Sequence, residues 1–408
     1  MTKFELPKSV DLCISPRRGL KARHYIPKGT LVLTDKAIAT TTQNCSNCFQ
    51  TGLLKCSRCI TKYCSVECQR LDWKIHKLIC SHKEIQPEIE MLIKVQHWYH
   101  EHGDDDNQKS ILCTLESNLS KFNQTDLDYL ELQLKRFGKW NNESLQLLCT
   151  FQCNNFTIYD HELFEYGQGT FPLASLINHS CEPNVVALFK NDSLFLKSLV
   201  DIQEGDELFI SYVDCILPIT DRIQSLSKYQ FVCDCQKCLN EQQITNYSEP
   251  LDNLQIFIQE MIDSSNPVPP KIVIEFIETL MSDYQDTSKT NLHESVRKSS
   301  FYRFSYSKDF PVVTKLFYDF MDLQKWNKAS ILSRFICAVY QYHYPQNHPM
   351  IGLQLYITAK CLWNAYEQNL SKLYIKYARQ SLTITHGDLF PQFMEEVTVL
   401  ENLIMNHC

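Results

Sequence analysis

The chain has 408 residues, 44% hydrophobic and 21% charged, with a formal net charge of −7. That length and composition suit a globular protein of two or three domains with a full core, and the negative balance argues against a nucleic-acid binder. The opening Met1-Thr-Lys-Phe-Glu-Leu-Pro lacks an apolar h-region and no apolar run approaches about eighteen residues, so neither a secretion signal nor a membrane span is expected.

Residues 8–43 alternate β-rich runs with turns. Leu31–Thr34 and Ala37–Thr40 read as strands, and Pro27-Lys28-Gly29 reads as a turn. Gly19, in Arg17-Arg18-Gly19-Leu20, lies between two strand-like runs, where a missing Cβ permits close backbone approach to a ligand; the rival reading is a surface turn.

Residues 45–80 carry Cys45-x2-Cys48-x7-Cys56-x2-Cys59-x4-Cys64-x3-Cys68-x7-His76-x3-Cys80. Eight such ligands suit two tetrahedral zinc ions. The Cys-x2-Cys pairs are knuckles, and the later pairs at i, i+4 share one helix face. The cationic side chains Lys55, Arg58, Lys62, Arg70, Lys74 and Lys77 are nearly balanced once Glu67, Asp72, the thiolates and two zinc ions are counted. Such a finger lacks the uncompensated charge that DNA phosphates require.

Residues 84–150 read as helices, with Ile89, Leu92, Ile93 and Gln96 at helical spacing and Leu127, Leu130, Leu132 and Leu134 less regular. Residues Glu101–Asn107 form a polar loop, and nearby His97, His100 and His102 read as solvated side chains rather than metal ligands. Cys153–Ile158 is a β-type run, and Phe171–Ile177 leads an apolar stretch into Asn178-His179-Ser180-Cys181. A second motif, Gly205-Asp206-Glu207-Leu208-Phe209-Ile210-Ser211-Tyr212, is followed by Cys233-x-Cys235-x2-Cys238, which leaves a tetrahedral zinc one ligand short.

Pro250 and Asn266-Pro267-Val268-Pro269-Pro270 mark a change of register, beyond which the chain reads as helical. Ile351–Ala359 and Leu373–Leu382 have helical periodicity with alanines at contact positions, suggesting helix pairs of tetratricopeptide type. His348 and His386 read as cap or turn residues. Of the nineteen cysteines, the clustered ones point to metal in a reducing compartment. The other eight, Cys13, Cys113, Cys149, Cys153, Cys215, Cys337, Cys361 and Cys408, read as small hydrophobes.

Asn178–Cys181 with Glu182-Pro183-Asn184, followed by Gly205–Tyr212, resembles the SET domain of protein lysine methyltransferases. Residues 45–80, with the Trp73…His76-Lys77…Cys80 ending, resemble a MYND finger. Together with Cys153-Asn154-Asn155-Phe156-Thr157-Ile158, these motifs resemble the SMYD family, which combines both domains. The resemblance implies an α+β protein: a β-rich SET fold with an inserted MYND finger and helical insert, then an all-α, TPR-like C-terminal domain. The implied divisions are a SET N-terminal part at 1–44, the finger at 45–80, the helical insert at 81–150, the SET core at 151–215, a post-SET zinc segment at 216–245 and the helical domain at 246–408.

On the same resemblance, Cys45, Cys48, Cys64 and Cys68 hold one zinc, and Cys56, Cys59, His76 and Cys80 a second. Cys181 completes a third with Cys233, Cys235 and Cys238, so that loss of that metal would remove one wall of the site. The cofactor implied is S-adenosylmethionine, held by Arg18, Gly19, Asn154, Asn178, His179, Tyr212 and Phe231. Arg17 stands where a first glycine is usual in the family. Tyr212 is the implied catalytic residue, with Phe171, Tyr212 and Tyr229 lining the lysine channel. The implied partners are a protein substrate with a target lysine and a proline-rich peptide at the finger, in a monomer of the cytoplasm or nucleus. The rival function is a zinc-scaffolded interaction protein whose SET lobe has lost activity.

Overall fold

The computed structural model describes residues 5–13, 18–52, 54–80, 85–102, 106–244 and 310–406. Arg17, residues Gly103–Asp105, Pro250, the segment Pro267-Val268-Pro269-Pro270 and Cys408 lie outside the described residues. The architecture is α+β, and its contacts divide the chain into two units. One comprises Met1–Tyr212 with Gln224–Cys233, the other Val213–Ile223 with Asp234–Cys408.

In the first unit, short strands follow the turn chemistry. Strands β1 (Val10–Cys13) and β2 (Gly19–Ala22) pair antiparallel. Strand β3 (Leu31–Lys36) pairs with β11 (Ser193–Ser198), which also pairs with β10 (Val185–Lys190). The β10–β11 hairpin turns through Asn191 and Asp192, with Asn191 at φ 57°, a left-handed conformation that asparagine tolerates well. A third sheet orders β4 (Ala39–Thr42), β8 (Glu165–Thr170) and β7 (Phe156–Tyr159). The second expected strand thus begins two residues later than the sequence suggests, at Ala39, because Ala37 and Ile38 form the turn between β3 and β4.

The finger holds the two-residue hairpin β5 (Leu54–Lys55) and β6 (Lys62–Tyr63), followed by helix α1 (Val66–His76). Ser65 caps α1 by accepting from the Cys68 amide at 3.1 Å. The insert consists of α2 (Pro87–Glu101), α3 (Asn107–Leu112), α4 (Gln124–Arg136) and α5 (Asn142–Asn154). Asp106, Asn123 and Asn141 cap α3, α4 and α5 through their side-chain oxygens. Ile89, Leu92 and Ile93 are buried as their spacing implied, and Leu130 and Leu134 of α4 are buried, whereas Leu132 is exposed.

Cys153 and Asn154 are not strand residues. They finish α5, drawn into helical conformation by the Asn141 cap and the buried stripe of Leu145, Leu148 and Phe151; the strand begins at Phe156. The core of this unit gathers residues from β1 to β4, the insert helices and the segment from Phe171 to Ile210.

In the second unit, α6 (Ile219–Leu226) contributes its first residues, followed by α7 (Gln236–Ile244). Beyond residue 309 come α8 (Phe310–Asp322), α9 (Trp326–His343), α10 (Pro349–Asn364), α11 (Gln368–Thr385) and α12 (Pro391–Asn406). Successive helices pack along small residues. A Cβ on Gly352 of α10 would stand 2.9 Å from Leu382 of α11, so this glycine sets a close helix approach. His348 caps α10 by accepting from the Met350 amide, and His386 ends α11. No described helix is long and apolar enough to cross a membrane.

Candidate active site and metal centres

Local spacing explains the finger's sites directly. The ligand atoms of Cys45, Cys48, Cys64 and Cys68 lie within 4.8 Å of one another, as do those of Cys56, Cys59, His76 and Cys80. Tetrahedral zinc with Zn–S bonds of about 2.3 Å separates its sulfurs by about 3.8 Å, and sulfur from nitrogen by about 3.6 Å. The structure has Cys48–Cys64 and Cys64–Cys68 at 3.4 Å and Cys56–Cys80 at 3.6 Å. His76 Nε2 stands 3.4 Å from Cys56 and 3.5 Å from Cys59. These distances fit zinc, and His76 turns its Nε2 rather than its Nδ1 toward the sulfurs. Its ring is held edge-on by Tyr63, whose hydroxyl donates to Asp72 at 2.7 Å. Of the third expected set, the Cys181 and Cys233 sulfurs lie 4.0 Å apart within the first unit, and Cys235 and Cys238 belong to the second.

The second motif pair meets through two-residue strands. β9 (Asn178–His179) runs parallel to β12 (Phe209–Ile210), with Asn178 opposite Phe209 and His179 opposite Ile210. Asn178 spends both amide hydrogens on distant partners, donating to the Arg18 carbonyl at 2.9 Å and to Glu207 Oε1 at 2.6 Å. The Leu208 amide donates to the Leu20 carbonyl at 2.7 Å, and Asn184 donates to the Glu207 carbonyl and accepts from the Phe209 amide. Gly19 lies under this knot. A Cβ there would meet Glu207 Oε1 at 2.5 Å and Asn178 Nδ2 at 2.6 Å, so a larger residue would displace these two side chains from the knot. Glu207 and Asn184 were not singled out in the sequence, although both stand inside its motifs.

Around Tyr212 an aromatic wall closes. Its ring centroid is 4.8 Å from Tyr229, 5.2 Å from His179 and 6.3 Å from Phe231, and Phe231 is 5.8 Å from His179. Tyr229 follows from the 3-10 turn Ser227–Tyr229, whose exit residue Gln230 has φ 63°. The Tyr212 hydroxyl donates to the Ile177 carbonyl at 2.5 Å. Burial, then the neighbouring Tyr229 and Glu207, push the Tyr212 phenol well above its ordinary range, so it stays protonated. Burial and Cys153 push Tyr229 up to about 12.

The other expected residues are placed less directly. Phe171 is fully buried, with ring contacts to Phe156 at 5.8 Å and Phe189 at 5.6 Å. Asn154 donates to the carbonyls of Glu116 and Thr150, both at 2.8 Å, while its own carbonyl accepts from Ser175. The Arg18 guanidinium turns to the Thr114 carbonyl, so it is the backbone of Arg18 that joins the knot.

One buried group has no sequence signal. Asp35 on β3 is 5% exposed and accepts from the Ala174 amide at 3.0 Å and from Gln108 at 3.3 Å. It thereby anchors the 3-10 turn Ala174–Leu176, which leads into Ile177 and Asn178. Burial pushes its pKa up to about 6, against the pull of the Ala174, Gln108, Leu173 and Lys36 donors.

Residues 17–213 match the SET domain family. A histone-lysine N-methyltransferase of Arabidopsis thaliana, ASHR1, is 27% identical over 95% of this chain and 94% of its own length. The N-lysine methyltransferase SMYD2 of Homo sapiens is 26% identical over 90% and 88%, and SMYD2-A of Danio rerio is 34% identical over 55% and 58%.

Proposed function

Because the chain belongs to the SMYD family of SET- and MYND-domain proteins, we propose that it is an S-adenosylmethionine-dependent protein-lysine N-methyltransferase. The supporting observation is the convergence of Tyr212, Tyr229, Phe231 and His179 beside the knot of Gly19, Asn178 and Glu207. S-Adenosylmethionine, when bound, supplies a methyl group on a positively charged sulfur. The residues present suit such a cation: aromatic ring faces, the Glu207 carboxylate and the backbone around Asn178. Gly19, Asn178, His179, Tyr212 and Phe231 are the residues proposed to hold it, with the Arg18 backbone and Asn154 at the margin.

A lysine ammonium cannot attack; only the free amine can. A channel walled by Tyr212, Tyr229 and Phe171 favours the neutral amine because burial penalises the charged form. Tyr212 does not act as the base. Its hydrogen is committed to the Ile177 carbonyl and its acidity is suppressed, which leaves oxygen lone pairs to accept an N–H of the incoming amine and orient it. Alignment in a narrow channel contributes several kcal/mol, and up to roughly ten in ideal intramolecular cases. The direct test is cofactor binding by calorimetry followed by transfer of a labelled methyl to protein substrate. Tyr212→Phe is expected to lower kcat by about 10²-fold, by analogy with removal of one preorganised polar group, with cofactor affinity within about threefold. A variant as active as wild type sinks the role given to Tyr212; wild type that binds cofactor and methylates no lysine sinks the enzyme reading.

The finer assignments belong to the same proposal. Zinc occupies the three sulfur-rich clusters, and the sequence-based domain divisions are retained. The finger takes a proline-rich peptide, a reading supported by exposed apolar residues Ile60, Val66, Leu71 and Trp73. The chain acts as a monomer, and residence in the cytoplasm or nucleus is supported by the thiol-rich clusters, which suit a reducing compartment.

A further inference from the structure

His179 carries two side-chain contacts that together assign its proton. The backbone amide of Tyr212 donates to Nδ1 at 2.9 Å. A backbone N–H can only donate, so Nδ1 presents a lone pair and the ring hydrogen sits on Nε2. Nε2 stands 3.3 Å from Cys181 Sγ, within reach of an N–H···S hydrogen bond. The imidazole is buried, and its face is covered by Tyr212 and Phe231 at 5.2 and 5.8 Å. Both ring nitrogens are therefore spent inside the protein, and contacts that residue 179 makes with a cofactor fall to its backbone.

We propose that His179 is a positioning residue for methyl transfer, its imidazole bridging the Cys181 sulfur to the backbone of Tyr212 and so setting where the Tyr212 hydroxyl stands. Two anchors then hold that side chain: His179 fixes its backbone, and the Ile177 carbonyl fixes its hydroxyl. The Cys181 sulfur thereby becomes part of the placement of the reacting centre.

The inference rests on the methyl-transfer reading, so its test includes a measurement independent of turnover. In a long-range proton–nitrogen spectrum of the wild-type protein, the His179 ring, identified by its absence in His179→Asn, is expected as the Nε2-protonated tautomer. An Nδ1-protonated ring overturns the proposal without touching the reaction assignment. Asparagine can replace the Nδ1 acceptor and not the Nε2 donor, glutamine can replace the donor, and leucine replaces neither. One hydrogen bond of ordinary net worth corresponds to about tenfold in rate. His179→Asn and His179→Gln are each expected to lower kcat about tenfold and His179→Leu about 100-fold, with cofactor affinity and substrate KM within about threefold. Loss of cofactor affinity as large as the loss of kcat, or equal rates for leucine and asparagine, overturns it.

Discussion

Asp35 makes the molecule's pH response calculable. Its carboxyl, 5% exposed, has a pKa raised by burial from an ordinary 3.8 to about 6. For an acid with a raised folded-state pKa, the folded protein binds the proton more tightly than the unfolded chain. Stability therefore rises as pH falls through 6 and levels off near 4. The full ionisation cost is about 3 kcal/mol at 1.36 kcal/mol per pKa unit, of which about 1.3 kcal/mol is recovered between pH 7 and pH 5. The perturbation is Asp35→Asn, which cannot titrate, and the assay is urea unfolding of both proteins at pH 7 and pH 5. Groups common to the two, zinc ligands included, cancel in the comparison. Between pH 7 and pH 5 the wild type is expected to gain about 1.3 kcal/mol relative to the variant. A gap that stays constant, or moves toward the variant, refutes the claim that this carboxyl is desolvated. Because Asp35 holds the Ala174 amide ahead of Ile177, the same titration reaches the carbonyl that receives the Tyr212 hydroxyl.

Gly19→Ala places a Cβ 2.5 Å from Glu207 Oε1 and 2.6 Å from Asn178 Nδ2; cofactor affinity measured by calorimetry should fall at least about tenfold, equivalent to losing one good hydrogen bond, and an unchanged Kd would show that the knot does not shape the cofactor site. Zinc chelation should remove methyl transfer and proline-rich peptide binding together, since the clusters fold around their metals. Trp73→Ala, on the exposed face of the finger, should remove only the peptide binding; activity that survives stoichiometric zinc loss, or peptide binding indifferent to Trp73, speaks against these assignments.

The finger was the part most legible in the sequence, because its chemistry is local. Knuckles at two-residue spacing need only a short turn, and the pairs at i, i+4, expected on one helix face, instead straddle the two ends of α1, with Cys64 ahead of its Ser65 cap and Cys80 beyond its Lys77 end; the eight ligands still converge as two groups. The helices of the insert and C-terminal unit were readable for a similar reason: Ile89, Leu92 and Ile93 mark a helical face that is buried, although the structure buries Met91, Lys94 and Val95 of the same helix too. The short run at Cys153 was not, because its β-type composition competes with a well-capped helix whose buried stripe reaches Phe151 and whose last turn runs on to Asn154.

The resemblance carried by the order and spacing of the motifs implied that Asn178, Tyr212 and the cysteines after it belong to one site, and that the chain combines a metal finger with a β-rich lobe and a helical tail. Tertiary structure alone decided what each side chain does there. Asn178 is engaged by a carbonyl 160 residues away, Tyr212 gives its hydrogen to a carbonyl 35 residues away, and Asp35 reaches an amide 139 residues on. Hydrogen-bond direction, desolvation and ring contact depend on which atoms meet in space, and two-residue strands such as β9 and β12 have too little local preference to announce their pairing.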